Sequence, residues 1–154
     1  MVVSGRVCRG SGSASAYLSH HWVRRTMKHA FGFVPFAETL GVALGVSLDE
    51  LEGALGTAGR MLVPAEAGSG GYALLQAYLE KGVCGLPAVL VQSLDEWKSP
   101  HRLEFALPVD VRSAWGLEDG DEVTAYIFYF PSTAAAAGGW RVRATARTPG
   151  EAFL

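Results

Sequence analysis

Cysteine is scarce: Cys8 and Cys84 are the two in 154 residues, in no CxxC pair and at no Cys/His metal spacing. That excludes a disulfide framework, and both thiols are expected to be reduced. Neither sign of charge dominates, since 13 Lys and Arg against 15 Asp and Glu leave a formal charge of -2. A basic face of the kind that binds duplexes is therefore not expected, and nucleic acid is not an expected partner. Long apolar runs are also missing. The longest, residues 83–91, is broken by Gly85 and Pro87 and falls well short of the ~20 residues that span a bilayer. Met1-Val2-Val3-Ser4 lacks the apolar core of a signal peptide, so the expectation is a soluble, cytoplasmic protein with no membrane partner.

What remains fits one domain large enough to bury a core without cross-links. Residues 1–130 are expected to form it, with residues 131–154, rich in alanine, glycine and arginine, as a C-terminal extension. Near the start, Gly10-Ser11-Gly12-Ser13-Ala14-Ser15 has almost no side-chain bulk. Backbone amides in such a run can approach an anion closely. It lacks the Lys-Ser/Thr pair of a P-loop, so the run alone is a weak signal, and a flexible surface loop with no ligand is the alternative reading. Further on, Glu38 and Thr39 place a carboxylate and a hydroxyl just ahead of an apolar strand. Together the two stretches point to a phosphate and metal site.

The remaining elements are expected to be mainly β with short helices. Alternation predicts strands over residues 2–8, 39–44, 60–64, 102–107 and 123–130, and the apolar run over 86–91 predicts a central strand. Residues 71–79 suit a helix or a buried strand by periodicity, and the short space between the 65–71 connection and Gly82 selects the strand. Tyr17 and Leu18 are expected to be extended. Helices are expected from Ser19 as N-cap to residue 30, over 48–55 behind Ser47, and over 109–115 with Asp110 in the first turn. Gly32 and Gly116 should close two of them, and Asp119-Gly120 should set a tight turn. Arg24, Arg25 and Lys28 make one helix face basic, which is either solvated or phosphate-attracting. Trp97, among charges in the 92–101 connection, could stack on a planar ligand or roof a core edge. Glu104 shares a strand face with Arg102, the pattern of an ordinary surface ion pair.

The order of glycine loop, helix, Gly32-Phe33-Val34-Pro35-Phe36 turn, Thr39-Leu40 strand, and helix followed by Leu117-Glu118-Asp119-Gly120-Asp121-Glu122-Val123 resembles the archaeal CTP-dependent riboflavin kinases over residues 2–128. The resemblance implies a six-stranded cradle-loop β-barrel and phosphoryl transfer from CTP to riboflavin, giving FMN and CDP. It further implies CTP phosphates against Gly10, Ser11, Gly12, Ser13, Ala14 and Ser15. The nucleotide would be met again by Val109, Asp110, Val111 and Arg112, and Mg2+ would sit at Thr39 and Gly41. Riboflavin would lie near Glu96 and Glu104, with Trp97 as an aromatic cover and Glu104 as the candidate that orients or deprotonates the ribityl hydroxyl.

The chain departs from the family pattern where that chemistry would happen. Pro-Gly-Thr-Leu-Asn becomes Ala37-Glu38-Thr39-Leu40-Gly41, which removes an asparagine ligand and offers Glu38 as a replacement oxygen. A third loop glycine becomes Ala14, a basic residue becomes Ser15, and a threonine expected near the flavin aligns with Glu96. The alternative reading is a catalytically inactive flavin- or nucleotide-binding sensor or carrier on the same barrel.

Overall fold

The computed structural model describes residues 1–44, 61–63, 72–93 and 102–128. These residues form seven strands: β1 (Val2–Arg9), β2 (Leu40–Ala43), β3 (Met61–Val63), β4 (Tyr72–Lys81), β5 (Cys84–Ser93), β6 (Arg102–Ala106) and β7 (Glu122–Ile127). Among the described residues three helices join them: α1 (Gly12–Leu18), α2 (His21–Phe31) and α3 (Val111–Trp115). Every strand pairing is antiparallel, in the order β3-β4-β5-β6-β2-β1-β7, and β7 returns to β4. Closure depends on the ten-residue length of β4. Its first residues, Tyr72, Ala73 and Leu74, pair with β3, whereas Ala77, Tyr78, Leu79 and Glu80 pair with β7 along the same edge. Six strands thereby form the closed barrel, and β3 extends it as a short seventh. Residue types match this role: Gly82 at φ 59° makes the two-residue turn between Lys81 and Cys84.

The interior follows from alternation. Val3 and Val7, Leu40 and Val42, Leu103 and Phe105, and Val123, Ala125 and Ile127 all point inward and are buried. A second apolar cluster lies outside the barrel wall. There Leu74, Val89, Val91 and Ala106 are covered by Ala14, Tyr17 and Leu18 of α1 and by Val23 and Met27 of α2. Each large side chain removed from water in this layer stabilises by roughly 1.5–3 kcal/mol. An aspartate at Met27 would strand a charge under α2 and detach the layer. Burial on both faces also explains why residues 71–79 had no decisive period: β4 carries Leu74 outward and Leu75 inward, and both are 1 % exposed.

Four expectations change. Tyr17 and Leu18 are helical, because Ala14, Tyr17 and Leu18 share one buried face at helical spacing and Ser11 caps the start by accepting the Ala14 N–H. Ser19 closes α1 instead of opening α2, its hydroxyl donating to the Ala16 carbonyl at 2.6 Å, and α2 starts after His20. Asp110 is the N-cap of α3, accepting from the Ser113 amide and hydroxyl, so that helix starts later than expected. Gln92 and Ser93 complete β5 and do not belong to the following connection. Gly32 and Gly116 close α2 and α3 in the left-handed region, and Gly120 turns at φ 93°. The helix over 48–55, the connection over 65–71, most of the 92–101 connection and the C-terminal extension lie outside the described residues. Among the described residues no helix is long and apolar enough to cross a membrane.

Candidate functional site

Where β1 ends and β2 begins, the chain crosses three neighbouring strands in register. Cys8 pairs with Gly41 and Arg9 with Leu40 on one side of β2, and Gly41 pairs with Glu104 on the other. An open cleft of about 600 Å³ sits over this junction, within the size range of small-ligand sites. Its walls carry Gly10, Ser11, Gly12 and Ser15 from the start of α1, Glu38 and Thr39 from the approach to β2, and Arg9, Arg112 and Asp119. Residues 37 and 38 form a bend ahead of β2. The strict alternation of a strand therefore does not apply between Glu38 and Thr39, and both face the same cleft.

Glu104 organises the floor. Only 7 % exposed, it accepts the Ser11 N–H at 2.8 Å and an Arg102 guanidinium N–H at 3.1 Å on Oε1, and the Thr39 hydroxyl at 3.0 Å on Oε2. The ordinary surface ion pair expected with Arg102 is thus one contact of a buried three-donor arrangement, because Ser11 and Thr39 close over the carboxylate. Gly10 makes that closure possible. A Cβ there would run into Thr39 Oγ1 and stand 2.9 Å from the Thr39 carbonyl oxygen. Ser15 adds a longer contact, its hydroxyl oxygen accepting the Thr39 N–H at 3.4 Å.

The glycine-rich run is thus the N-cap and first turn of α1, not a free loop. Two of its amides are held by side chains: Ser11 N–H by Glu104 and Ala14 N–H by the Ser11 hydroxyl. Those of Gly12 and Ser13, at the open start of the helix, have no partner among the described residues. Arg112 reaches across from α3, donating to the Cys8 carbonyl at 2.9 Å and to Asp119 Oδ1 at 2.8 Å. Val109, Asp110 and Val111 line a crevice that adjoins the cleft through Glu38, Thr39 and Arg112, with room for about one water molecule. Burial pushes the Cys8 thiol up, with Arg102 pulling in the opposite direction.

The structure therefore brings together Gly10, Ser11, Gly12, Ser15, Glu38, Thr39 and Arg112, with Glu104 beneath them. Gly41 shares the face of Thr39 but not the cleft: a Cβ there would lie 2.8 Å from the Arg9 carbonyl and 2.9 Å from that of Cys8. The basic side chains of α2 do not line the cleft. Glu96 and Trp97 lie outside the described residues. Sequence reasoning missed Arg9 and Asp119. Arg9 was next to the glycine run and signalled by adjacency, whereas Asp119 read only as a turn residue.

Among the described residues no three of His, Cys, Asp and Glu gather closely enough to hold a metal unaided. As ligands the described cleft residues offer side-chain oxygens: Asp119 is engaged by Arg112, and Ser11 and Ser15 accept backbone amides, which leaves the Glu38 carboxylate and the Thr39 hydroxyl, whose proton is committed to Glu104. Such a set fits a hard divalent cation that keeps phosphate and water ligands, as Mg2+ does.

Comparison with known proteins places residues 7–127 within the family model described as CTP-dep_RFKase, Domain of unknown function DUF120. The chain is 32 % identical over 127 residues to a riboflavin kinase of Ignicoccus hospitalis, covering 82 % of this chain and 70 % of that protein. It is 28 % identical to riboflavin kinases of Pyrobaculum arsenaticum, over 120 residues, and Pyrobaculum calidifontis, over 125. Those matches cover 77 % and 80 % of this chain but 57 % and 58 % of the Pyrobaculum proteins, little more than half their length.

Proposed function

This chain belongs to the CTP-dependent riboflavin kinase family, and on that premise we propose that it transfers a phosphoryl group from CTP to riboflavin, giving FMN and CDP. The observation that carries this reading is the cleft in which the open amides of α1, Thr39, Arg9 and Arg112 converge. Phosphoryl transfer asks little covalent chemistry of a protein and depends on positioning and charge neutralisation. The amides of Gly12 and Ser13 would receive phosphate oxygens, and the guanidinium groups of Arg9 and Arg112 would offset their charge. Arg112 is already oriented by the Cys8 carbonyl and Asp119.

A divalent cation would be held by Thr39 Oγ1 and the Glu38 carboxylate, with no side-chain oxygen from Gly41, and would supply neutralisation of the phosphate charge. Riboflavin is assigned to the side of Glu104, with Glu96 and Trp97 as further flavin contacts. A carboxylate must orient the ribityl hydroxyl, and Glu104 is the candidate. Oε1 already accepts from Ser11 and Arg102, so a proton would go to the free lone pair of Oε2, beside the Thr39 hydroxyl.

The test is incubation of the full chain with riboflavin, CTP and Mg2+, with FMN separated chromatographically. FMN and CDP in equal amounts are expected, with less product from ATP. Flavin binding without turnover would instead select a sensor or carrier, and the absence of both would defeat the reading.

A further inference from the structure

Glu104 does more to Thr39 than anchor it. The carboxylate already accepts the Ser11 N–H and Arg102 on Oε1, so it can only accept again at Oε2. Threonine has a single hydroxyl proton, and that bond at 3.0 Å uses it. Whatever enters the cleft therefore meets Thr39 Oγ1 as bare lone pairs. A phosphate oxygen would be repelled there, and a cation attracted. Gly10 holds the arrangement in place, since its Cα packs against the same threonine with no Cβ between.

We propose that Glu104 is a positioning residue that commits the Thr39 hydroxyl to ligating a divalent cation, and that it acts before and apart from any proton transfer to a flavin. The inference rests on the kinase reading of the cleft. Glu104→Gln is the informative change because the shape is nearly kept. Ser11 N–H and Arg102 both require an acceptor, so the amide oxygen must occupy the Oε1 side. The amide NH2 then faces Thr39 and donates to Oγ1, releasing the threonine proton toward the cleft. The polarity of the hydroxyl is inverted without removing it.

The experiment measures CTP binding with no riboflavin present, with Mn2+ and with EDTA, together with the loss of the free Mn2+ signal in electron paramagnetic resonance. Wild type should bind CTP more tightly with Mn2+. In Glu104→Gln that cation-dependent gain should fall by about tenfold or more, as expected when the group orienting a ligand is lost, while binding in EDTA should not weaken, since the released threonine proton now faces a phosphate oxygen. Thr39→Val should lose the same gain, and the double variant no more than either single one. Glu104→Asp keeps the charge but withdraws the carboxylate by one methylene, and should show the same loss if the glutamine variant does not fold. A full cation-dependent gain in a folded Glu104 variant overturns the inference alone and leaves Glu104 as a base. Absence of any Mn2+-dependent CTP binding in wild type overturns the kinase reading as well.

Discussion

Gly10→Ala tests whether the closure over Glu104 is as tight as described. The added methyl would overlap Thr39 Oγ1 and stand 2.9 Å from the Thr39 carbonyl oxygen, where ordinary contact begins near 3.4 Å. Rotating Thr39 relieves the first clash by abandoning Glu104 Oε2, which leaves a buried carboxylate oxygen and a hydroxyl without their bond. The second clash remains, because the Thr39 carbonyl leads directly into Leu40, the first residue of β2, which is held between β1 and β6. Overpacking and the lost bond each cost about 1–3 kcal/mol, and the stiffer unfolded chain returns up to about 1. The expected net loss is about 1–6 kcal/mol, and at a central value of about 3 kcal/mol the fall in Tm is roughly 6–12 °C for a domain of this size. Thermal denaturation followed by circular dichroism measures it. Gly12→Ala is the control: a Cβ there meets nothing within 4 Å, and alanine at a helix start should be neutral or stabilise by up to about 1 kcal/mol. Equal Tm values for Gly10→Ala and wild type, or an equal fall in both variants, would refute the reasoning.

Other consequences can be measured in the same way. Gly41→Asn reinstates the asparagine of the family pattern, yet its Cβ would press on the Arg9 and Cys8 carbonyls. It should lower stability by about 1–3 kcal/mol without raising Mn2+ affinity; a stable variant with tighter Mn2+ binding would contradict the β1–β2 spacing. Tyr17→Phe should raise Tm by roughly 2–12 °C, because the buried Tyr17 hydroxyl has no hydrogen-bond partner among the described residues and its removal relieves about 1–3 kcal/mol of desolvation; a fall in Tm would show that the hydroxyl is bonded. Acid should loosen α3 and the turn before β7. The Ser113 hydroxyl and amide hold Asp110 below its ordinary value of 3.8, and the Glu118 amide, then Lys81, do the same for Asp121. A depressed carboxyl contributes stability that is full above its unfolded value and lost as pH falls through the folded one. Tm should therefore decline once pH drops below about 3.8, and more shallowly in the Asp110→Asn, Asp121→Asn double variant. Identical acid profiles would remove this account.

Much of the barrel could be read from local pattern. Val3 and Val7, or Leu103 and Phe105, reveal an inner face because a strand alternates its side chains whatever it pairs with. Gly32 and Gly116 mark helix ends because only a left-handed residue stops a helix there cheaply. The start of α1 was less legible. Its serines and glycines look like loop residues, and the Ala14, Tyr17, Leu18 spacing acquires meaning only once Leu74 and Val91 provide a wall to pack against.

The site divides along the same line. By itself the sequence determined which residue types could meet a phosphate or a cation, because backbone freedom at glycine and oxygen donors at Glu38 and Thr39 belong to the residues themselves. Only the tertiary structure decided that Glu104 lies beneath Thr39, 65 positions away, and beneath Ser11, 93 positions away. It also decided that Gly41 faces backbone carbonyls and not the cleft. Periodicity tells a strand which face is inward, but not which strand lies beside it or in what register. That choice is made by closing the sheet into a barrel, where the pairing of β1, β2 and β6 sets every distance across the site.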